Sequence, residues 1–435
     1  MHTSRPQSAD RMTEHTVMKS IPPVNKTKSQ RQAEQKAIGC IRRALAEHGI
    51  KQQSSAFRHH GYHTPDRTAP LILVACSGGR DSLALAYCAQ TVAGELGVRC
   101  GAIIVDHQLQ KGSAEVARYA ADQCKRMHMD PVIVTSMNVE TRTGDGEEAA
   151  ARHVRYEAIC ACAKKLHAKA VLLAHTQDDQ AETMMLAILQ GSSPTALTGM
   201  PAPFIRDGVQ FLRPILGVTR LQTTAICEAE SLSWWDDPTN GDGLHIGDLG
   251  FSELPRRSQV RQSLIPLLRQ LGGPAVTAHL AALAQSQRED QDYLAAVARK
   301  AFLSVCESSD PQQSDPQQSH QHYPQQIRFV TRKLRELARP IRLRVLMTGL
   351  AVLVGGTPDT PNMPGTPGTP SIMDTTNTSR ERLRSDGINR SALNVLDRYV
   401  MGDVPSPKCQ ISRNFSAYRQ TTVIVLCHND LHADR

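Results

Sequence analysis

No C-x-x-C pair occurs among the eleven cysteines of this chain, and their number is odd. That spacing excludes zinc ribbons and cysteine-ligated clusters of recognisable type, and reduced thiols in a cytosolic protein are expected. Long apolar runs are also missing. The most apolar late stretch, around Val345 to Val354, is too short to span a bilayer. The N-terminus is polar and basic, without an apolar core of signal-peptide length, so a cytoplasmic protein with no membrane partner is expected.

What is present suffices for two or three domains: 435 residues, 40% of them hydrophobic. The formal charge of +8 and a pI near 9.0 favour an anionic partner such as nucleic acid without proving one. Residues 1–66 are rich in Ser, Gln, Lys and Arg and read as a basic, largely disordered extension. It contains one predicted helix, Gln32 to His48, with Ile38, Ile41 and Leu45 on one face.

From Leu71 the pattern changes to short buried runs alternating with amphipathic stretches. Leu71 to Ala75, Gly101 to Val105, Pro131 to Thr135 and Ala170 to Ala174 have strand length, and Ser113 to His128 has helical period behind a Ser N-cap. The alternation predicts an α/β fold with a parallel sheet over 67–216. A helical domain is predicted over 217–307, with helices near Thr219 to Ser231, Ser258 to Leu271 and Pro274 to Cys306. Low-complexity stretches at 308–326 and 355–380 read as solvated linkers around a helical segment at 327–354. A small C-terminal region, 381–435, follows, with a helix at Ser391 to Met401 and two short strands between Cys409 and Cys427.

Parallel sheets bind ligands at the carboxyl ends of their strands. There the chain places Ser77-Gly78-Gly79-Arg80-Asp81-Ser82, directly after a strand and opening a helix. The two glycines allow a sharp turn that brings backbone N–H groups to an anion, and the helix N-terminus adds partial positive charge. The loop lacks the lysine of G-x-x-x-x-G-K-S/T and does not fit G-x-G-x-x-G.

This loop resembles the S-G-G-x-D-S phosphate loop of the N-type ATP pyrophosphatases, the PP-loop superfamily of GMP synthetases, NAD synthetases, tRNA thiolases and lysidine synthetases. Three further segments resemble the tRNA(Ile)-lysidine synthetase family in particular: Val105-Asp106-His107 with Gly112-Ser113, the run from Glu148 through Arg152 to Arg155-Tyr156, and Leu173 to Thr183. Leu212 to Leu216, Trp234 to Asn240 and Arg257 to Arg261 continue the match in order. One departure is Ser258, where the family has Asn, which leaves a hydrogen bond open because hydroxyl and amide differ in reach.

The resemblance implies an adenine-nucleotide α-hydrolase-like sheet domain using ATP and Mg²⁺, acting on tRNA(Ile) with a CAU anticodon and on free L-lysine. ATP would adenylate the wobble cytidine at its C2 oxygen, and the lysine ε-amine would then displace AMP. Ser77, Gly78, Gly79, Arg80, Asp81 and Ser82 are the expected ATP-binding residues. Asp81 reads as a Mg²⁺ ligand, a helix cap, or both. Asp178 and Asp179 share a helix face with Glu182, an arrangement that suits a cation, either Mg²⁺ or the lysine ammonium, but also a solvated first turn. Arg152 reads as a surface ion-pairing residue or, by the resemblance, as an active-site cation.

His107 and His175 stand at strand ends, as packing or as functional imidazoles. Arg256, Arg257 and Arg261 read as tRNA backbone contacts or as a solvated basic face. The catalytic set expected is thus Asp81, Arg152, His175, Asp179 and Glu182. A tRNA thiolase and a non-catalytic RNA-binding protein are the alternatives, and a homodimer is the assembly considered.

Overall fold

The computed structural model describes residues 26–53, 67–106, 108, 112–136, 147–191, 195–307, 326–354 and 388–429, with the side chains of 147–151 left aside. His107, both low-complexity stretches up to residue 325 and at 355–380, and most of the remainder of the 1–66 extension lie outside these residues.

The chain opens on α1 (Lys28–Glu47), which starts at a capping box between Thr27 and Gln30. Ala33, Ala37, Ile41 and Leu45 recur every four residues and are buried. The helix is therefore part of the main hydrophobic core, and the reading of 1–66 as an extension outside it is corrected at this point. The sheet domain continues with β1 (Leu71–Ala75), α2 (Arg80–Leu96), β2 (Arg99–Asp106), α3 (Ser113–Arg126), β3 (Val132–Ser136), α4 (Glu147–Lys165), β4 (Ala170–Leu172) and α5 (Gln177–Leu189). Helix α3 is capped by Gly112 and not by Ser113, which is its first helical residue.

A hairpin, β5 (Pro203–Arg206) and β6 (Val209–Leu212), completes a six-stranded sheet of order β3-β2-β1-β4-β6-β5. Every pairing in it is parallel except β5 with β6. The order reverses at β1, whose neighbours are β2 and β4, so the loops leaving β1 and β4 diverge and open a crevice between them.

Helix α6 (Arg220–Ala229) overturns the boundary at 216/217. Its Ile226 and Cys227 lie in the same core as α1 and α2, because the face that α1 and α2 leave apolar is closed only by a third helix. Beyond it, α7 (Arg256–Gln259), a π-helical turn at Val260–Leu264 and α8 (Ile265–Gly272) form one helical run. Pro266 has no N–H to donate one turn back, which accounts for the widened turn before it.

Helix α9 (Val276–Val305) packs its first half on α5 and passes its C-terminal end, Ala298, Phe302 and Val305, to a separate core. That core is built by β7 (Gln326–Val330), α10 (Thr331–Glu336), α11 (Arg339–Leu353), α12 (Arg390–Met401), β8 (Lys408–Gln410), β9 (Phe415–Gln420) and β10 (Val423–His428). Its strands form an antiparallel sheet of order β7-β10-β9-β8. The segments at 327–354 and 381–435 were expected as separate pieces; their described residues, 327–354 and 388–429, form one domain, and the two expected strands are three. Among the described residues no helix is long and apolar enough to cross a membrane.

Candidate active site

A cleft of about 460 Å³ lies at the crevice, lined by the loop after β1, the ends of β2 and β4, α4, α6 and the run from Trp235 to Arg261. Gly78 sits at φ +81°, and a Cβ there would come within 3.1 Å of the Ala120 Cβ on α3, so both backbone and space require glycine. Its carbonyl accepts from the Trp235 N–H at 3.1 Å, which ties the loop to the far wall. Ser82 Oγ donates to the Gly79 carbonyl at 2.8 Å and accepts from the Ser77 N–H at 3.2 Å. The Ser82 hydroxyl thereby holds the loop's shape from beneath. No side chain caps α2, and its first-turn N–H groups face the anion position the loop creates. Arg80 lies 5.9 Å from the Trp234 ring centroid.

Behind the loop stands a balanced cluster of carboxylates and guanidiniums. Arg220, the first residue of α6, bonds Glu182 at 3.1 Å and Asp179 at 3.2 Å and reaches Asp81 at 3.5 Å. Arg257 bonds Glu182 at 2.9 Å, and Arg261 bonds it at 2.8 and 3.1 Å. Arg269 pairs with Asp178 at 2.6 Å, whose other oxygen accepts the Arg220 N–H at 2.7 Å. Four acids therefore face four guanidiniums.

Burial pushes the Asp81 carboxyl above its ordinary range, and Arg220 only partly offsets this. Burial would raise Asp179 too, but Arg220, Arg257 and the Thr176 N–H bring it down to about 2. Glu182 is likewise lowered, against its burial, by Arg261 and Arg220.

The expectation of an open acidic pair for an ammonium is corrected by this packing. Glu182 is 1% exposed and does not line the cleft, because three guanidiniums occupy its oxygens; Asp179 does line it. Arg257 and Arg261, expected as tRNA contacts, turn inward to Glu182, whereas Arg256 is exposed. Ser258, in place of the family Asn, donates to the Thr239 carbonyl at 2.8 Å, so the hydroxyl still ties the helical run to the 234–240 segment.

On the other wall, Arg152 lies 5.3 Å from the Tyr156 ring centroid, and Tyr156 packs edge-on against Phe204 and Phe211. His175 lines the cleft and accepts at Nδ1 from Arg213 Nε at 3.1 Å. Burial, with Arg213 next, pushes its pKa down to about 3. The loop, Asp81, Arg152, His175 and Asp179 all meet at one cleft. Sequence reasoning passed over Arg220, Arg213, Thr223 and Arg269. Arg213 fell inside a matched segment, whereas Arg220 follows a Thr219 cap that marks only a helix start.

The PP-loop domain family matches residues 47–268. A tRNA(Ile)-lysidine synthase of Bifidobacterium longum is 38% identical over 417 residues, covering 92% of this chain and 98% of that one. Another, from Bifidobacterium animalis subsp. lactis, is 47% identical over 62% of this chain and 71% of its own length. Among solved structures, a U34-tRNA thiolase from Methanococcus maripaludis is 14% identical with a TM-score of 0.45, over 63% of this chain and 88% of that one. With a relative matched over 92% of this chain and the PP-loop domain spanning the cleft described above, the chain belongs to the tRNA(Ile)-lysidine synthase family.

Proposed function

We propose that this protein is an ATP-dependent ligase that joins lysine to C2 of the wobble cytidine of a CAU-anticodon tRNA(Ile), in the cytoplasm. The observation that carries this reading is the match to the B. longum synthase over 92% of this chain. The C2 oxygen of the cytidine attacks the α-phosphorus of ATP and pyrophosphate leaves. The ε-amine of lysine then attacks C2, and AMP departs with the oxygen. Adenylation converts a poor leaving oxygen into a good one.

Residues 77–81 cradle the phosphates through backbone N–H groups at the N-terminus of α2, which suit charge developing on the leaving pyrophosphate. Asp81 is the acid beside this loop, and its raised pKa is what a cation would relieve. Mg²⁺ takes one or two carboxylates together with substrate phosphate oxygens, and Asp81 is the carboxylate beside this loop that would hold it. The ion, when bound, supplies countercharge to the pyrophosphate.

Asp179 lines the cleft and is assigned the lysine ammonium, while buried Glu182 keeps Arg257 and Arg261 in place. Arg152, braced by Tyr156, is assigned to the adenylate or the cytidine, and exposed Arg256 to the tRNA backbone.

Purified protein with ATP, Mg²⁺ and CAU-anticodon tRNA(Ile) is expected to incorporate labelled lysine and release AMP, without iron, sulfide or reductant. The same tRNA with a UAU anticodon is expected to be inert, since uridine lacks the exocyclic amine of the target base. Folded protein that incorporates no lysine, or that thiolates the RNA, would overturn the assignment.

A further inference from the structure

We propose that Arg213 is a positioning residue that fixes His175 as the neutral imidazole protonated on Nε2, so that His175 donates a hydrogen bond to a substrate oxygen and does not accept the proton of lysine. A guanidinium nitrogen is only ever a donor, and Arg213 Nε approaches His175 Nδ1 at 3.1 Å. Nδ1 must then present its lone pair, and a neutral ring carries its proton on the other nitrogen.

Arg213 is not free to leave. It is 5% exposed, donates from Nη1 to the Pro201 carbonyl at 2.5 Å, and stacks its guanidinium 4.3 Å from the Phe204 ring centroid. Burial lowers its pKa to about 10, so it remains charged across the working range.

Among the described residues, the charges that weigh most on His175 are the guanidiniums of Arg213, Arg257 and Arg152, which oppose its protonation, and the carboxylate of Asp179, which favours it. Burial opposes a second proton on the ring most, and Arg213 adds to it. A base that takes a proton at Nδ1 would have to break the Arg213 bond, and Nε2 already carries a hydrogen. The ring therefore offers substrate an N–H from the wall it shares with Arg152 and Asp179. Its acceptor is an anionic or carbonyl oxygen, such as those of the adenylated cytidine. The donor role rests on the lysine-joining reaction proposed above; the tautomer does not.

The test is nitrogen NMR on the full chain labelled at histidine, without substrates, with the His175 signal identified by its absence from His175→Asn. A single Nε2–H tautomer that fails to titrate between pH 5 and 8 is expected. In Arg213→Met the Nδ1–H tautomer is expected to appear and the pKa to rise by at least about one unit toward the ordinary value near 6.5; Arg213→Lys, which keeps a cationic donor, should remain closer to wild type. A wild-type ring that titrates in this range, or carries its proton on Nδ1, overturns the tautomer.

Single-turnover lysine transfer tests the role. His175→Ala is expected to lose roughly tenfold or more, the worth of one hydrogen bond to a charged group. His175→Asn, which keeps an N–H, should recover part of that loss, and equal rates in the two variants overturn the donor role. If lysine is never incorporated while the NMR result holds, the functional reading fails and the Arg213–His175 tautomer stands.

Discussion

At the scale of single residues, Glu182 and His175 carry the sharpest consequences. Glu182→Ala removes the buried carboxylate shared by the half-buried Arg220, Arg257 and Arg261, and the loss is below the roughly 3–5 kcal/mol of breaking a fully buried pair. A lower melting temperature and a loss of kcat are expected together; a selective rise in the KM for lysine with unchanged stability would instead make Glu182 the ammonium ligand. His175 has a folded pKa of about 3, below the ordinary 6.5, so the unfolded chain binds the extra proton first and stability falls as pH drops below about 6.5. Asp179, at about 2, holds its contribution above about pH 4 and loses it only as pH falls through 2, so it is silent between pH 7 and 5. His175→Asn should therefore flatten the stability loss between pH 7 and 5 by about 2 kcal/mol, measured as the difference from wild type in urea unfolding. The glycine loop, Asp81 and His175 were legible in the sequence because each follows a strand. The partners of Asp179 and Glu182 were not: Arg220 and Arg261 lie 38 and 79 residues from Glu182, and nothing local announces such a pairing.

Among the elements, α1 and α6 act as a pair. Ile41 and Leu45 of α1 are fully buried in the core that also takes Ile226 and Cys227 of α6, the helix whose first turn carries Arg220 and Thr223 to Asp81. Lys26, just before α1, reaches both Glu34 and Glu230 at the end of α6, which fixes the two helices at that corner. Leu45→Ala is expected to cost about 2–5 kcal/mol. Because α6 would then shift under Asp81, the affinity for ATP should fall as well, read by calorimetric titration; an unchanged affinity in the destabilised variant would show that α1 does not brace the site. The sequence revealed α1 as an amphipathic helix but not its destination, since an apolar stripe does not name the surface it covers. The four strands β1 to β4, all paired in parallel, were legible from their buried runs. The β5–β6 hairpin was not, because four-residue strands carry too little pattern, and β4 is shorter than its apolar run because the last inter-strand bond there, from the Leu173 N–H to the Leu212 carbonyl, closes the ladder.

At the scale of the whole molecule, α9, whose 30 residues extend about 45 Å at 1.5 Å each, packs Ala284 in a small cluster with α5 and Ala298, Phe302 and Val305 in the C-terminal core. The C-terminal core holds a buried ion pair, Arg342 with Asp397 at 2.6 Å, and Arg339 bonds the other carboxylate oxygen at 3.1 Å. Arg342 is 5% exposed and also donates to the Leu337 carbonyl at 2.7 Å, so it cannot swing to water when its partner is removed. Asp397→Ala should thus destabilise this domain by about 3–5 kcal/mol. Among the described residues the ATP cleft draws none from that domain, and its loop, acids and guanidiniums all lie between Ala75 and Arg269. Two unfolding transitions are therefore expected in scanning calorimetry, of which ATP raises only the one belonging to the sheet domain, since a ligand stabilises the unit that binds it. Asp397→Ala should lower the other transition and leave the ATP-sensitive one in place. If the two move together, α9 couples the cores into one cooperative unit, and damage to the C-terminal domain would reach the cleft through the contacts of α9 with α5, the helix that carries Asp179 and Glu182.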